Sequence, residues 1–447
     1  MKKRYYIILP LLFALASCKK FLDEKSNRSI AIAETLADQQ SLLDHYQVLN
    51  QVDGNSAEIS STDFYLTDTD FSSRLENERN MYTWQRANIF LPELNEWSNN
   101  YKAVYRANSV IENLGKIPRT TSNASQWDNV NGQAYFYRAK NILKTLFVWA
   151  PAYDVASAGS DLGVPLRTGS DFNVPSFRST VEECYSQVLS DLRVSVRCLP
   201  PVAVHMMRPS KAAAYGMLAR ALLTMRRYNE AFLYADSCLR LKNELMDFNT
   251  LNAAATLPIQ RFNVEVLHES FFTGVPLSNV RAKTDPQLFA LYETNDLRRN
   301  VFFNDNKNGT YGFKGSYEGF TTFFAGVAVD EVLLIRAECL ARLNRLPEAL
   351  ADLNKLLRNR YKKNTFVDRQ SFDQVAITTM VLNERRKELL MRGLRWADVK
   401  RLNKEGVGIS LTRTVNGKSY SLAPNSSGFV LPIPELVIEA SGMPQNP

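Results

Sequence analysis

Asp63, Tyr65, Asp68 and Trp84 place carboxylates beside aromatic rings within one stretch, 53–92, that is otherwise rich in turn formers and acids. That mixture captures sugars: an aromatic face stacks on the C–H surface of a pyranose while carboxylates and amides bond its hydroxyls. Tyr153 and Asp154 repeat the combination in a second loop. These six residues are the candidate ligand contacts. The competing reading is that the aromatics pin long loops onto a core, because buried aromatic side chains dominate packing. Asp68 and Asp70 offer oxygen ligands to Ca²⁺, but two acids fall short of a full calcium loop. Catalytic constellations are missing from the pattern. His45, His205 and His268 lie far apart in no ligand-spaced motif, and there is no HExxH, GxSxG or phosphate-binding glycine loop. A glycosidase pair needs two carboxylates across one bond, and nothing selects a pair among 46 acidic residues. The expectation is a binding protein without catalysis or cofactor.

One further residue invites chemistry. Cys18 follows Leu15-Ala16-Ser17, after a basic start at Lys2, Lys3 and Arg4 and an apolar stretch from Tyr5 to Leu15. That stretch is too short to span a bilayer, which needs ~20 apolar residues. The pattern is an export signal over residues 1–17 with Cys18 as a lipid attachment site. An ordinary secretory signal that happens to hold a cysteine is the alternative. Lipidation makes the protein anchored to a membrane and not spanning it. Cys184, Cys198, Cys238 and Cys339 fall in helical patterns among apolar neighbours without CxxC spacing, which favours buried free thiols over disulfides.

The elements that must position these groups are helical hairpins. Tyr215, Leu218, Ala219 and Leu222 keep the i, i+3, i+4, i+7 spacing of a buried helix face, and Ala231, Tyr234, Ala235 and Cys238 follow after a polar turn. Leu333, Ala337, Leu340 and Ala341, then Ala349, Leu353 and Leu356, repeat the arrangement, with Pro347 opening the second helix. In both copies an alanine on the first helix precedes one on the second by twelve residues, Ala219 to Ala231 and Ala337 to Ala349. Small residues there let paired helices approach closely, as in ~34-residue tetratricopeptide units. Further helices are expected over about 97–114 and 130–149, with Trp97, Trp149 and Trp396 in the core. Stretches 53–92, 151–178, 242–328 and 404–434 break the pattern with turn formers, glycines or aromatics and read as loop insertions carrying a few short strands. Loops of that length are usually functional. The fold class is mainly α.

Charge excludes one partner class. The formal net charge of +8 falls to +5 without Lys2, Lys3 and Arg4, and Glu384 and Glu388 bracket the densest basic run, Arg385-Arg386-Lys387. No basic stripe with interleaved aromatics marks a nucleic-acid partner. Glu384, Arg385, Glu388, Arg392, Arg395 and Asp398 cluster at helical spacing and are expected to form a salt-bridge network locking the last helices.

The order of these pieces resembles the SusD/RagB family of outer-membrane nutrient-uptake lipoproteins. Cys18-Lys19-Lys20-Phe21-Leu22-Asp23 is similar to the family's lipidated start, and Tyr101, Tyr105, Arg106, Ala107 and Asn108 to its first helix. Gly132-Gln133-Ala134 with Arg138-Ala139 follows, carrying Gln133 where Glu is usual, and then Gly163-Val164-Pro165-Leu166 and Pro209-Ser210-Lys211-Ala212. Most specific are Glu331 to Glu338, Glu384 to Leu389 running into Gly393-Leu394-Arg395-Trp396-Ala397-Asp398, and the ending Pro432-Ile433-Pro434-Glu435 with Gln445-Asn446-Pro447. Met391-Arg392 and Ala440-Ser441 depart from the commoner Phe-Glu and Asn-Pro. The resemblance implies a single ligand-binding domain over 18–447 with four tetratricopeptide-like units, lipid-anchored on the cell surface at the outer membrane. It implies capture of an oligosaccharide, or a peptide in some branches, and a SusC-like TonB-dependent transporter as partner, over which the protein closes as a lid. Two other readings stay open: an envelope scaffold without a small ligand, and a glycoside hydrolase.

Overall fold

The computed structural model describes residues 34–51 and 53–447. The expected signal peptide and the lipidation site Cys18 lie outside the described residues. Eight helices form the frame: α1 (Glu96–Leu114), α2 (Ala124–Trp149), α3 (Val181–Cys198), α4 (Lys211–Thr224), α5 (Tyr228–Leu241), α6 (Val329–Arg342), α7 (Leu346–Arg358) and α8 (Gln374–Glu388). Each packs against the next in chain order, so the array runs on without a gap although an insertion separates α5 from α6. None of the described helices is long and apolar enough to cross a membrane.

Local chemistry sets the ends. Thr180 and Glu183 cap α3 reciprocally: the Thr180 hydroxyl accepts from the Glu183 N–H at 3.1 Å, and the Glu183 carboxylate accepts from the Thr180 N–H at 2.8 Å. The two expected hairpins share a three-residue turn. In each, the middle residue of the turn is left-handed, Arg226 at φ 61° and Asn344 at φ 59°. The next N–H reaches five residues back, Arg227 to Leu222 O at 2.9 Å and Arg345 to Leu340 O at 2.8 Å. Asn tolerates this conformation better than Arg does; Arg226 is held in it by donating to Tyr153 O at 2.7 Å. Ala219, Ala231, Ala337 and Ala349 are all buried, as the close approach of the helices requires. Gly216 belongs with them, since a Cβ there would meet Val327 Cγ1 at 2.7 Å. The later hairpin grips the earlier one through cations on rings, with Arg342 4.6 Å from the Tyr228 centroid and Arg345 4.5 Å from that of Phe232.

The insertions carry the short strands. Phe64–Tyr65 pairs with Lys283–Thr284, and Val266–His268 with Val327–Ala328, each antiparallel. In the last insertion Leu411–Val415 pairs with Lys418–Leu422 across Asn416-Gly417, both at positive φ as a tight hairpin demands. Stretch 53–92 is less irregular than its composition implies, holding short helices at Ser56–Ser60, Asp68–Ser72 and Glu76–Tyr82. Helix α2 starts at Ala124, earlier than the apolar pattern indicates, because its first turns are polar. Trp97, Trp149 and Trp396 are core. The four described cysteines are free, and burial pushes the Cys184 thiol up to about 11.

The expected salt-bridge network exists but reaches much further than one helix. Arg385 pairs with Asp398 at 2.8 Å. Glu384 and Glu388, however, turn to Arg298 from the long insertion, and Glu388 also takes Arg360 at 2.8 Å. Arg392 pairs with Asp330 at 2.6 Å and Arg401 with Glu338 at 2.6 Å, tying the segment after α8 to α6. Glu265, Asp330 and Glu388 converge closely enough to suggest a cation site. Arg360, Arg392 and Arg298 already neutralise them with hydrogen-bonded guanidinium groups, so the donor set suits a metal poorly.

Candidate binding groove

The six residues singled out for ligand contact fall into two separate groups. Four lie in the 53–92 insertion, which meets the 411–422 hairpin at Asp68 and Trp84. The hairpin's Arg413 enters the 53–92 insertion, 3.7 Å from the Tyr82 ring centroid and 4.9 Å from that of Trp84, and donates to Ile59 O at 2.8 Å and to the carbonyls of Tyr82 and Ser61. Burial lowers its pKa to about 10. Trp84 is buried here, with its indole N–H on Ser60 O at 3.0 Å. Asp63 is buried too, paired with Arg386 at 2.7 Å. Tyr65 is half-buried in its strand, and Asp68 is exposed but accepts the Asn416 N–H at 2.7 Å. Asp70 faces Lys283 at 3.4 Å and does not join Asp68 around a common point. The second group lies elsewhere: Tyr153 is buried with its hydroxyl on Glu182 at 2.5 Å, and Asp154 sits 3.5 Å from Lys404. Asp63 and Tyr153 therefore tie loops to α8 and α3, while Trp84 packs within its own insertion and against Arg413 of the last one.

A concavity of about 790 Å³ lies between α1, the 165–176 part of the second insertion and the helix Glu435–Ser441. Tyr105 and Phe172 line it with rings 52% and 81% exposed, beside Val174, Leu436 and Pro165. Asn95, Ser98, Asn173, Arg167 and Glu93 add polar groups. Its loop wall is tied down from below. Asn108 donates to Arg167 O at 2.8 Å and Gly169 O at 3.0 Å, the Tyr101 hydroxyl donates to Pro165 O at 2.8 Å, and Glu112 accepts the Ser170 N–H at 2.7 Å. Arg167 braces the same loop through the carbonyls of Asp171 and Val174, each at 2.5 Å. The wall is thus preorganised, which lowers the ordering cost of binding.

A second depression of about 310 Å³ opens on the other side of the 91–95 segment and shares Asn95 with the first. Amides of Asn55, Asn77 and Asn99 face it together with the exposed Leu75, Leu91 and Leu94. Glu93 is the carboxylate lining the larger groove among the described residues. The larger groove thus offers one carboxylate and not the pair that glycoside hydrolysis needs, while Asp53, Glu78 and Glu96 line the smaller depression. The sequence held two partial signals for the larger groove: the Tyr101/Tyr105 pair on one helix face, and the glycine- and proline-rich 151–178 loop. Leu436 and its helix carried none.

Residues 20–223 match the family model described as "Starch-binding associating with outer membrane", and residues 330–440 match that of the SusD family. The chain is 24% identical over 417 residues to SusD-like protein P2 of Formosa agariphila, covering 78% of this chain and 79% of that protein. Its fold is similar to a SusD superfamily protein from Bacteroides thetaiotaomicron, with TM-score 0.75 and 21% identity over 92% of this chain and 100% of that one. A SusD-like carbohydrate binding protein from Bacteroides vulgatus superposes with TM-score 0.66 and 18% identity over 91% of this chain and 97% of that one. The uninterrupted helical array, the insertions it displays and both family matches agree: the chain belongs to the SusD/RagB family, a family of binding proteins and not of enzymes.

Proposed function

We propose that the protein is a lipid-anchored receptor on the cell surface that captures an oligosaccharide in the groove at α1 and delivers it to a SusC-like TonB-dependent transporter, over which it acts as the lid. The observation that carries the capture is the pair of exposed rings, Tyr105 and Phe172, lining one preorganised concavity of about 790 Å³ edged with amides. Solvent-exposed rings on a fixed wall make a stacking platform, as aromatic side chains do for nucleic-acid bases, where each stacked base contributes about 1–3 kcal/mol. Tyr105→Ala and Phe172→Ala are each expected to weaken oligosaccharide binding at least tenfold in calorimetry, with an unchanged unfolding midpoint. Binding of a peptide panel in place of glycans would redirect the ligand class, and no binding of either would favour the scaffold reading. The Phe-Leu-Asp motif after Cys18 and the family's outer-membrane association support the anchor. Cys18→Ala is expected in the soluble fraction after fractionation, whereas the native protein, gently extracted from membranes, brings down a large β-barrel partner. Retention of the signal-cleaved variant in the membrane would exclude the lipid.

A further inference from the structure

A further concavity, of about 420 Å³ and sharing no lining residue with the groove, lies between the 151–162 loop, the helix Arg395–Asn403 and the 425–430 and 445–447 segments. Its lining is unusual in charge. Lys400 is 6% exposed, and its ammonium donates to Phe147 O at 2.9 Å and Ala150 O at 2.5 Å. Arg178 is 9% exposed, and its guanidinium donates to Gly163 O, Leu162 O and Pro444 O at 2.8, 2.9 and 3.2 Å. Neither cation meets a carboxylate among the described residues, in contrast to the buried arginines of the network above. Carbonyls take two of the three donors of Lys400 and three of the five of Arg178, so donors of both are left over. Burial alone lowers the Lys400 pKa to about 7, as expected for an ammonium without a counter-ion. Lys404 stands at the rim, 29% exposed and 3.5 Å from Asp154. Among the lining residues the acidic side chain is Asp161, which accepts from Ser157 at 2.6 Å. The Ser426 hydroxyl is buried without a partner, and Ser160, Ser427 and Asn425 add hydroxyl and amide groups. Pro447, the last residue of the sequence, also lines the pocket, and its carboxylate oxygen accepts from the Arg86 guanidinium.

We infer that this pocket is a second binding site, for a small sugar acid: its carboxylate would take the free donors of Lys400 and Arg178, and its hydroxyls those of Ser426, Ser427 and Asn425. Buried cations lacking a counter-ion are costly, and an anionic ligand removes that cost on binding. The volume lies in the range of small-molecule sites. A neutral sugar of the same shape supplies hydroxyls but leaves the cations uncompensated, so the pocket discriminates by charge. The site is distinct from the aromatic groove, and the inference does not rest on the ligand proposed there.

Calorimetry with D-galacturonate, D-glucuronate and D-galactose on the purified protein tests this. The two acids are expected to bind at least tenfold more tightly than galactose. Ser427→Trp, which fills the pocket from its rim, and Lys404→Glu, which reverses a rim charge, are each expected to weaken acid binding at least tenfold. Both positions are partly exposed, so folding is preserved, and an unchanged midpoint confirms it. Lys400→Met is expected to abolish acid binding; should it fail to fold, the two rim variants decide. Equal binding of acids and galactose, no binding of either acid, or acid binding unaffected by both rim variants would overturn the inference.

Discussion

Arg360→Leu is expected to lower the stability of the folded protein by about 3–5 kcal/mol, the cost of breaking a fully buried ion pair from one side. The Arg360 guanidinium is completely buried and meets Glu388 at 2.8 Å, Glu265 at 2.7 Å and Met246 O at 2.7 Å, stacked 4.2 Å from the centroid of Phe248. Leucine keeps some of the packing and removes the charge. Glu388 retains Arg298, but Glu265 keeps only the Tyr317 hydroxyl at 2.9 Å and the Met246 N–H at 2.7 Å. Burial already raises the Glu265 pKa to about 7, and losing Arg360 raises it further. The folded variant then holds a proton that the unfolded chain gives up above its ordinary carboxyl pKa of about 4.3. Stability of the variant therefore falls as pH rises from there, and the difference from the native protein is larger at pH 8 than at pH 5. Urea denaturation at both pH values measures it; a loss below about 1 kcal/mol at pH 8 would show that the network is not holding the long insertion to the frame.

Glu318→Gln is expected to act in the opposite direction. Glu318 and Glu269 are both fully buried and share one cation, Arg261, which lies 3.4 Å from the first and 3.0 Å from the second. One guanidinium cannot compensate two carboxylates. Burial, with the neighbouring Glu269 next, pushes the Glu318 pKa up to about 10, so the folded protein keeps it protonated at neutral pH. The unfolded chain ionises it above about 4.3, so this group costs stability increasingly as pH rises from there to its folded value. Glutamine is neutral at every pH and nearly isosteric with the protonated acid. The variant is expected to gain on the order of 2 kcal/mol at pH 8, little at pH 4, and to have a flatter stability–pH curve. A variant destabilised at both pH values would mean that the carboxyl proton makes a bond that an amide cannot replace.

The hairpin repeat was legible because it rests on local periodicity and on small residues at a fixed interval, and both survive into contacts: Ala219, Ala231, Ala337 and Ala349 are buried where the helices meet. The burial of Trp97, Trp149 and Trp396 followed from the same pattern. The ion network was legible only in part. Spacing on one helix proposes neighbours three or four apart, and Glu384 does take Lys387, yet Glu384 also takes Arg298, and Glu388 takes Arg298 and Arg360, both from outside the helix. The groove was the hardest to read. Tyr105, Phe172 and Leu436 come from a helix, a loop and a terminal helix, and no sequence pattern joins three such segments into one concavity. Asp63 and Trp84 carried the right chemistry, but Arg386 and Arg413 bury them, a fate set by partners more than 300 positions on. Composition identifies what a residue can do; only the tertiary partner decides whether a ligand can reach it.

The long insertion between α5 and α6 leaves and rejoins the frame at one place. Those helices pack directly on each other, Lys242 reaches across to Val266 O at 3.0 Å, and Val266–His268 pairs with Val327–Ala328 at the other end. The two junctions are therefore fixed in space whatever chain runs between them. Closing a longer loop over fixed ends costs only about 0.6 kcal/mol per doubling of length. The length of chain between the junctions can thus vary at little entropic cost, provided that Arg298 and Glu265 keep their buried partners in the frame.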